Sequence, residues 1–286
     1  MRIALASAAL VLLTTTLPLS AQTMEYKDVV YAEAQGKARA LDLYVPHADA
    51  PLVVYVHGGA WRAGTKADGV PMFLVDAGYA VASLEFTQTP EAPFPANVHD
   101  IKAGIRYLRA NAAQYGFNAE KIVISGASSG AHLAVLVGVT NGHAELEGAV
   151  GSNLDTSSDV QAILSYFAAT DLTTILSQST PFGVGVREPG LTLLLGALPD
   201  AVPELAQLAS PVYQVDANDP PLLLLHGDRD PQMPVNQSLQ MLGTYQEHGL
   251  DVAFIPVHGA AHGGPLFNEP KYTEQVIAFV KRTIGG

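Results

Sequence analysis

The most constraining feature of this chain is a serine flanked by glycines, which stands between an apolar strand-like run and an apolar helical pattern. Residues 121–134 read KIVISGASSGAHLA. In a turn this tight, the positions two before and two after Ser128 have almost no room for a side chain, and Gly126 and Gly130 supply that room. The pattern predicts a nucleophile elbow, in which Ser128 stands at the carboxyl end of a central strand and Ser129 opens the next helix.

Apolar runs and amphipathic patterns alternate along the rest of the chain. Residues 52–56 and 222–225 are short continuous apolar runs, which are typical of strands buried on both faces of a parallel sheet. Residues 98–112 carry apolar side chains at helical spacing. A hydrophobic content of 48% in 286 residues is enough for a sizeable core. We therefore predict an α/β fold with helices on both faces of a mostly parallel central sheet, formed as a single domain by residues 22–286.

Composition excludes several classes of function. The formal net charge is −12 at pH 7 and no basic run is present, so a nucleic-acid partner is not expected. The chain has no cysteine, which excludes disulfides, a cysteine nucleophile and thiolate metal sites. His258 and His262 are four residues apart, but the glycines that follow them argue against the helix that a zinc-binding pair would need. No metal and no cofactor are expected.

The first 21 residues have the pattern of a secretory signal peptide. Arg2 is followed by an apolar run over 3–13 and then by small residues that end at Ala21. This run is shorter than the roughly 20 residues that span a bilayer, so a stable membrane anchor is not expected. We expect cleavage after about Ala21 and export to the periplasm or the medium.

Polar residues follow four of the strand-like runs. They are HGGAW at 57–61, Ser128, HGDRD at 226–230 and HGAAHGG at 258–264. The carboxyl ends of parallel strands meet at one edge of a sheet, where ligands bind. A serine hydroxyl needs a base to take its proton, imidazole suits that role near neutral pH, and a carboxylate orients the imidazole. Serine, acid and histidine in this order along the chain predict a serine hydrolase.

These motifs resemble the α/β-hydrolase superfamily, and within it the small secreted esterases and feruloyl-esterase-like proteins that carry His-Gly-Gly-x-Trp. The similarity extends over about 41–284, nearly the whole chain after the signal peptide. The resemblance implies a catalytic triad of Ser128, Asp230 and His262. It also implies an oxyanion hole formed by Gly58, Gly59 and Ser129.

The chain departs from that family's pattern in two places. Glu85 and Phe86 stand where a Tyr-Arg pair is usual, and Ser129 stands where alanine is usual. Ser129 is also a competing nucleophile, as is Ser125. Neither is flanked by glycines at both of the offsets that a nucleophile elbow needs, so Ser128 is favoured.

The acid and the base also have competitors. Asp228 competes with Asp230, and the resemblance favours Asp230 because the acid stands four residues after the histidine of His-Gly. Asp228 is expected to cap the turn through its side chain. His258 competes with His262, and the glycine-rich surroundings of His262 favour it because a mobile loop can present the ring.

The predicted activity is the hydrolysis of carboxylic esters with small acyl or aryl groups, of the acetyl and feruloyl type, through an acyl-enzyme on Ser128. The expected partner is a small-molecule ester, and the oligomeric state is left open. One alternative is an arylformamidase of the kynurenine pathway, which resembles this chain in the same HGGAW loop. The predicted signal peptide counts against it, because that pathway is intracellular. Another is a catalytically inactive hydrolase-fold binding protein, which would typically lack a triad member.

Substrate specificity is expected to depend on residues 172–220. This segment is rich in Leu, Pro, Gly and Ser with weak periodicity, and we predict short helices that lie over the active edge of the sheet as a lid. Phe86 and Thr87 are expected to shape the pocket beside it.

Overall fold

The computed structural model describes residues 22–285, and the predicted signal peptide lies outside them. Eight strands form one sheet: β1 (Met24–Ala34), β2 (Lys37–Val45), β3 (Ala50–Val56), β4 (Ala80–Leu84), β5 (Phe117–Ala127), β6 (Ala162–Tyr166), β7 (Leu222–Gly227) and β8 (Val252–Val257). Their order across the sheet is β1-β2-β4-β3-β5-β6-β7-β8. Strand β2 is antiparallel to both β1 and β4, and all pairs from β4 to β8 are parallel. The predicted mostly parallel sheet is confirmed.

Ten α-helices occur within the described residues: α1 (Met72–Asp76), α2 (Ala96–Ala110), α3 (Ala112–Tyr115), α4 (Ser129–Gly138), α5 (Ala144–Glu147), α6 (Ile175–Gln178), α7 (Pro181–Leu195), α8 (Pro203–Leu208), α9 (Asn236–Glu247) and α10 (Pro270–Ile284). Over residues 22–285, no helix combines the length and apolar character needed to cross a membrane.

The two faces of the sheet carry two separate cores. Along β3, Leu52 and Val54 point into a core that packs α2, α4, α7 and α9, whereas Val53 and Tyr55 point into a second core that packs α1 and α10. All four side chains are buried, because a central parallel strand is covered on both faces. This explains why the sequence of β3 is continuously apolar, and it confirms the prediction that helices cover both faces.

Helix α7 differs from the short helices that we predicted for this part of the chain. It is a 15-residue helix that contains Pro189. The Thr180 hydroxyl accepts a hydrogen bond from the Gly183 N–H at 3.1 Å and caps its first turn, and Gly196 ends it with a φ of 80°. Phe182 is 60% exposed, so apolar side chains occur on the outer side of this helix as well and hide its periodicity.

Candidate active site

The elbow places Ser128 between β5 and α4 at the centre of the sheet. Ser128 has φ 55° and ψ −121°, a backbone conformation that residues with a side chain rarely adopt. The bends on either side are possible because of two glycines. A Cβ on Gly126 would lie 2.4 Å from the carbonyl oxygen of Gly130, and a Cβ on Gly130 would lie 2.2 Å from the carbonyl oxygen of Val56. Neither contact is sterically allowed, so α4 can approach the sheet this closely only with glycine at both positions.

The structure brings Ser128, His262 and Asp230 into one hydrogen-bonded chain. His262 Nε2 lies 2.8 Å from Ser128 Oγ, and His262 Nδ1 lies 2.6 Å from Asp230 Oδ2. These residues come from the end of β5 and from the loops after β7 and β8, whose carboxyl ends lie on the same edge of the sheet. If His262 Nδ1 carries the hydrogen and donates to Asp230, then Nε2 is left as the acceptor for the Ser128 hydroxyl.

Asp230 is buried and held by several donors. Its Oδ1 accepts hydrogen bonds from the Gln232 N–H at 2.8 Å and the Met233 N–H at 2.9 Å. His226 Nε2 lies 3.4 Å from Oδ2. Burial alone would raise the pKa of the Asp230 carboxyl, but the hydrogen bonds from His226, His262 and the Met233 N–H outweigh it and hold that pKa well below its usual range. Asp230 is therefore ionised at neutral pH, and its charge can stabilise a proton on His262.

The competing acid and base form a separate pair at the surface. His258 Nδ1 lies 3.0 Å from Asp228 Oδ2, and Asp228 Oδ1 accepts from the Gly259 N–H at 2.7 Å. The side chains of His258 and Asp228 are 75% and 40% exposed. Asp228 thus holds the backbone of a turn through its side chain, as expected. The two competing serines are buried, and the hydroxyls of Ser125 and Ser129 have no hydrogen-bond partner within the described part of the chain.

The loop after β3 presents backbone N–H groups to Ser128. Over residues 22–285, the N–H groups of Gly58 and Gly59 have no protein acceptor, and both residues line the same cleft as Ser128. Gly59 has φ 125°, and a Cβ there would lie 1.9 Å from the carbonyl oxygen of Ala63. The Ser129 N–H is the first of α4, so it has no acceptor inside the helix. Free N–H groups at these positions can donate hydrogen bonds to a developing oxyanion.

A buried histidine links that loop to the helix behind Ser128. The Trp61 indole N–H donates to His132 Nδ1 at 2.9 Å, and His132 Nε2 lies 2.7 Å from the carbonyl oxygen of Ala209. Trp61 is only 1% exposed, so it packs inside the protein. Because Nδ1 accepts a hydrogen bond, Nε2 carries the hydrogen and His132 is neutral. Burial lowers the pKa of His132 to about 4.

This lowered pKa predicts a loss of stability in mild acid. The unfolded chain, with an ordinary histidine pKa of about 6.5, binds the proton between pH 6.5 and 4, whereas the folded chain does not. The free energy of unfolding should therefore fall as the pH is lowered through this window, by up to about 3 kcal/mol from His132. Urea unfolding at several pH values measures it. His132→Gln should reduce the change in the free energy of unfolding with pH, and His47→Gln, at an exposed position, should not.

An aromatic cleft of about 470 Å³ adjoins Ser128 and was not foreseen from the sequence. Its aromatic lining is Tyr55, Tyr166, Phe167, Phe267 and Phe73. Phe167 has φ 47°, a strained conformation for a bulky residue, and its ring packs on the His262 imidazole with centroids 4.7 Å apart. The signal was present in the sequence: Tyr166-Phe167 follows an apolar strand at its carboxyl end, where ligands bind.

The expectation for Phe86 and Thr87 is wrong. Phe86 is buried and its ring stacks on His57 with centroids 4.6 Å apart. The Thr87 N–H and hydroxyl both donate to Asp100 Oδ2, at 2.7 and 2.5 Å. Neither residue lines the clefts around Ser128. Phe86 packs instead against the loop that follows β3, at His57, and Thr87 is held by Asp100 of α2.

The serine cleft, which contains Ser128 and has a volume of about 460 Å³, is bordered by α7. Val186 and Arg187 of that helix line it, together with His262. The predicted lid segment thus supplies residues to the cleft, although the sequence did not single out either of them. In the part of the chain that the structure describes, no group of three or more His, Asp or Glu side chains is arranged to hold a metal ion.

Comparison with known proteins gives consistent results. The family model described as BD-FAE matches residues 41–245. Esterase LipQ of Mycobacterium tuberculosis is 30% identical over 249 residues, 84% of this chain and 57% of LipQ. Esterase LipC of the same organism is 28% identical over 239 residues, 81% of this chain and 58% of LipC. The chain thus spans little more than half the length of these two relatives.

Solved structures share the fold over almost the whole length. A truncated form of a carbohydrate esterase from gut microbiota superposes with a TM-score of 0.81 at 32% identity, and the match covers 92% of this chain and 97% of the other. An esterase of Thermogutta terrifontis, 22% identical, has the same fold with a TM-score of 0.72. LipQ, LipC and the gut-microbiota relative are all named as esterases, and none of the three supports the arylformamidase alternative.

Proposed function

We propose that this chain, which belongs to the BD-FAE family and has the α/β-hydrolase fold, is a serine esterase that hydrolyses carboxylic esters through an acyl-enzyme on Ser128. The observation that carries the proposal is the continuous hydrogen-bonded chain from Ser128 through His262 to the buried Asp230. The inactive binding-protein alternative has no support, because Ser128, His262 and Asp230 are all present and hydrogen-bonded in sequence.

Each step of the proposed reaction uses a group in this arrangement. The Ser128 hydroxyl attacks the ester carbonyl carbon while His262 Nε2 takes its proton. The tetrahedral oxyanion accepts hydrogen bonds from the N–H groups of Gly58, Gly59 and Ser129, and each such donor stabilises it by about 2.7–4 kcal/mol. Ionised Asp230 stabilises the imidazolium. His262 then gives its proton to the leaving alcohol, and water releases the acid from the acyl-enzyme by the same steps.

The proposed substrates are small acyl or aryl esters of the acetyl and feruloyl type. A cleft of about 470 Å³ with an aromatic lining fits an aryl group or a short acyl chain. One relative is named a carbohydrate esterase, which supports a sugar as the alcohol. We also propose that residues 1–21 direct export to the periplasm or the medium. The domain over 22–286 would act as one unit, with 172–220 as its lid.

Covalent labelling tests the proposal directly. A fluorophosphonate should react once per chain, and tandem mass spectrometry should locate the adduct on Ser128, because this is the serine whose Oγ lies 2.8 Å from an imidazole nitrogen. Prior incubation with 4-nitrophenyl acetate should slow the reaction. Ser128→Ala serves as the control and should stay unlabelled. A folded protein that gives no adduct, or an adduct on another serine, would contradict the proposal.

A further inference from the structure

Arg187 is a buried cation at the serine cleft that the proposed reaction does not use. It lies on α7, is 1% exposed, and lines the cleft with Ser128 and His262. It is the only Lys or Arg between residues 172 and 220, a segment that is otherwise rich in apolar and small side chains. Its neighbour Glu188 is exposed, so the two charged side chains of this turn have opposite surroundings.

The guanidinium of Arg187 has one hydrogen bond to the part of the chain that the structure describes. Its Nε donates to the carbonyl oxygen of Gln232 at 3.3 Å. Among residues 22–285, no carboxylate forms an ion pair with it and its other N–H groups have no protein acceptor. Burial lowers the pKa of Arg187 to about 10, so it remains charged at neutral pH. A largely buried cation that has few protein partners and lines a cleft is typical of a ligand-binding site.

The nearby acidic groups are already engaged. Asp230, whose charge favours the protonated form of Arg187, accepts from His262, Gln232 and Met233. Asp68 also lines the serine cleft, but its Oδ2 accepts from the Thr65 N–H at 2.8 Å. A structural role for Arg187 would explain the single bond to Gln232. It would not explain why the other donors of this five-donor group, which have no acceptor within residues 22–285 and are not sealed from the cleft, lie beside Ser128.

We propose that Arg187 binds a carboxylate of the substrate, so that the enzyme prefers esters whose acyl or alcohol part carries one. The planar guanidinium can donate two parallel hydrogen bonds to a carboxylate, which neutral ester groups cannot match. This inference rests on the proposed ester hydrolysis, because the preference is expressed in turnover. It is a specificity role, since Arg187 takes no part in the proton transfers.

Matched anionic and neutral esters test the preference. Monoethyl succinate and ethyl succinamate differ at the acyl end, and 4-acetoxybenzoate and 4-acetoxybenzamide differ at the alcohol end. In at least one pair, kcat/KM of the wild type should favour the anion by about 10- to 100-fold, as expected for charged hydrogen bonds. Arg187→Met should remove that preference, mainly through KM, and Arg187→Lys should keep part of it. Glu188→Gln, a charge change at the next residue, should leave it unchanged.

Two results would overturn the carboxylate site. One is a wild type with no preference in either pair. The other is a folded Arg187→Met variant in which kcat/KM falls by the same factor for the neutral and the anionic esters. Arg187 would then act on a neutral oxygen or through packing. Circular dichroism and fluorophosphonate labelling establish that the variant is folded with a reactive Ser128.

Binding without turnover separates this inference from the proposed reaction. Succinate and 4-hydroxybenzoate are titrated into wild type and Arg187→Met by calorimetry. A Kd about 10- to 100-fold weaker in the variant would support the carboxylate site even for a protein that hydrolyses none of the esters, in which case only the proposed reaction fails. Equal Kd values, or no binding to the wild type, would overturn the site whatever the protein hydrolyses.

Discussion

Ser128→Ala is expected to lower kcat/KM for short-chain esters by at least about 10⁴-fold. Without the Ser128 hydroxyl no acyl-enzyme forms, and only the weak catalysis by the oxyanion hole and by substrate binding remains. The fold should be unaffected, because alanine fits wherever the Ser128 side chain fits. Hydrolysis of 4-nitrophenyl acetate and butyrate by the purified variant measures the loss, with thermal unfolding by circular dichroism as the check on structure.

Ser125→Ala is the matched control for this change. Ser125 lies three residues earlier in β5, is fully buried, and its hydroxyl has no hydrogen-bond partner within the described residues. Removing that hydroxyl should leave kcat/KM within about threefold, since a substitution away from the reacting groups has small effects. If Ser128→Ala kept more than about 1% of the activity, the residual rate would exceed what a site without its nucleophile supplies, and the assignment of Ser128 would be wrong.

The sequence predicted the parts of the site that follow from local backbone requirements. Gly126 and Gly130 stand where a Cβ would meet backbone atoms at 2.4 and 2.2 Å, so a close contact in space appears as a fixed spacing in the chain. The strands could be predicted for a similar reason. A strand such as β3, buried on both faces, must be apolar at every position, and the loop at its carboxyl end must then lie at the active edge.

The side chains that line the clefts could not be predicted in this way. Whether Phe86 or Phe167 faces the cleft depends on how separate loops pack, and no local spacing encodes that packing. Phe167 reaches His262 through a strained backbone at the end of β6, whereas Phe86 turns inward and stacks on His57. Arg187 is the intermediate case. A lone cation in an apolar segment is visible in the sequence, but its burial beside Ser128 depends on where α7 lies.

Asp230→Asn is expected to lower kcat/KM by about 10³- to 10⁴-fold with little change in KM. The change keeps the shape of the side chain but removes the charge that stabilises the imidazolium. An amide can also donate to His262 Nδ1, and this favours the tautomer in which Nε2 carries the hydrogen and cannot accept from Ser128. Steady-state kinetics with 4-nitrophenyl esters measures the loss, and urea unfolding checks that the variant is folded.

Asp228→Asn is the matched control, because the two carboxylates have similar partners and different surroundings. Each accepts from a histidine Nδ1, at 2.6 Å for Asp230 and 3.0 Å for Asp228, and each also accepts from a backbone N–H. Their side chains are 0% and 40% exposed, and only His262 has Ser128 at its other nitrogen. Asp228→Asn should therefore stay within about threefold of the wild type. An equal loss in both variants would mean that turn structure, rather than the charge on His262, limits catalysis.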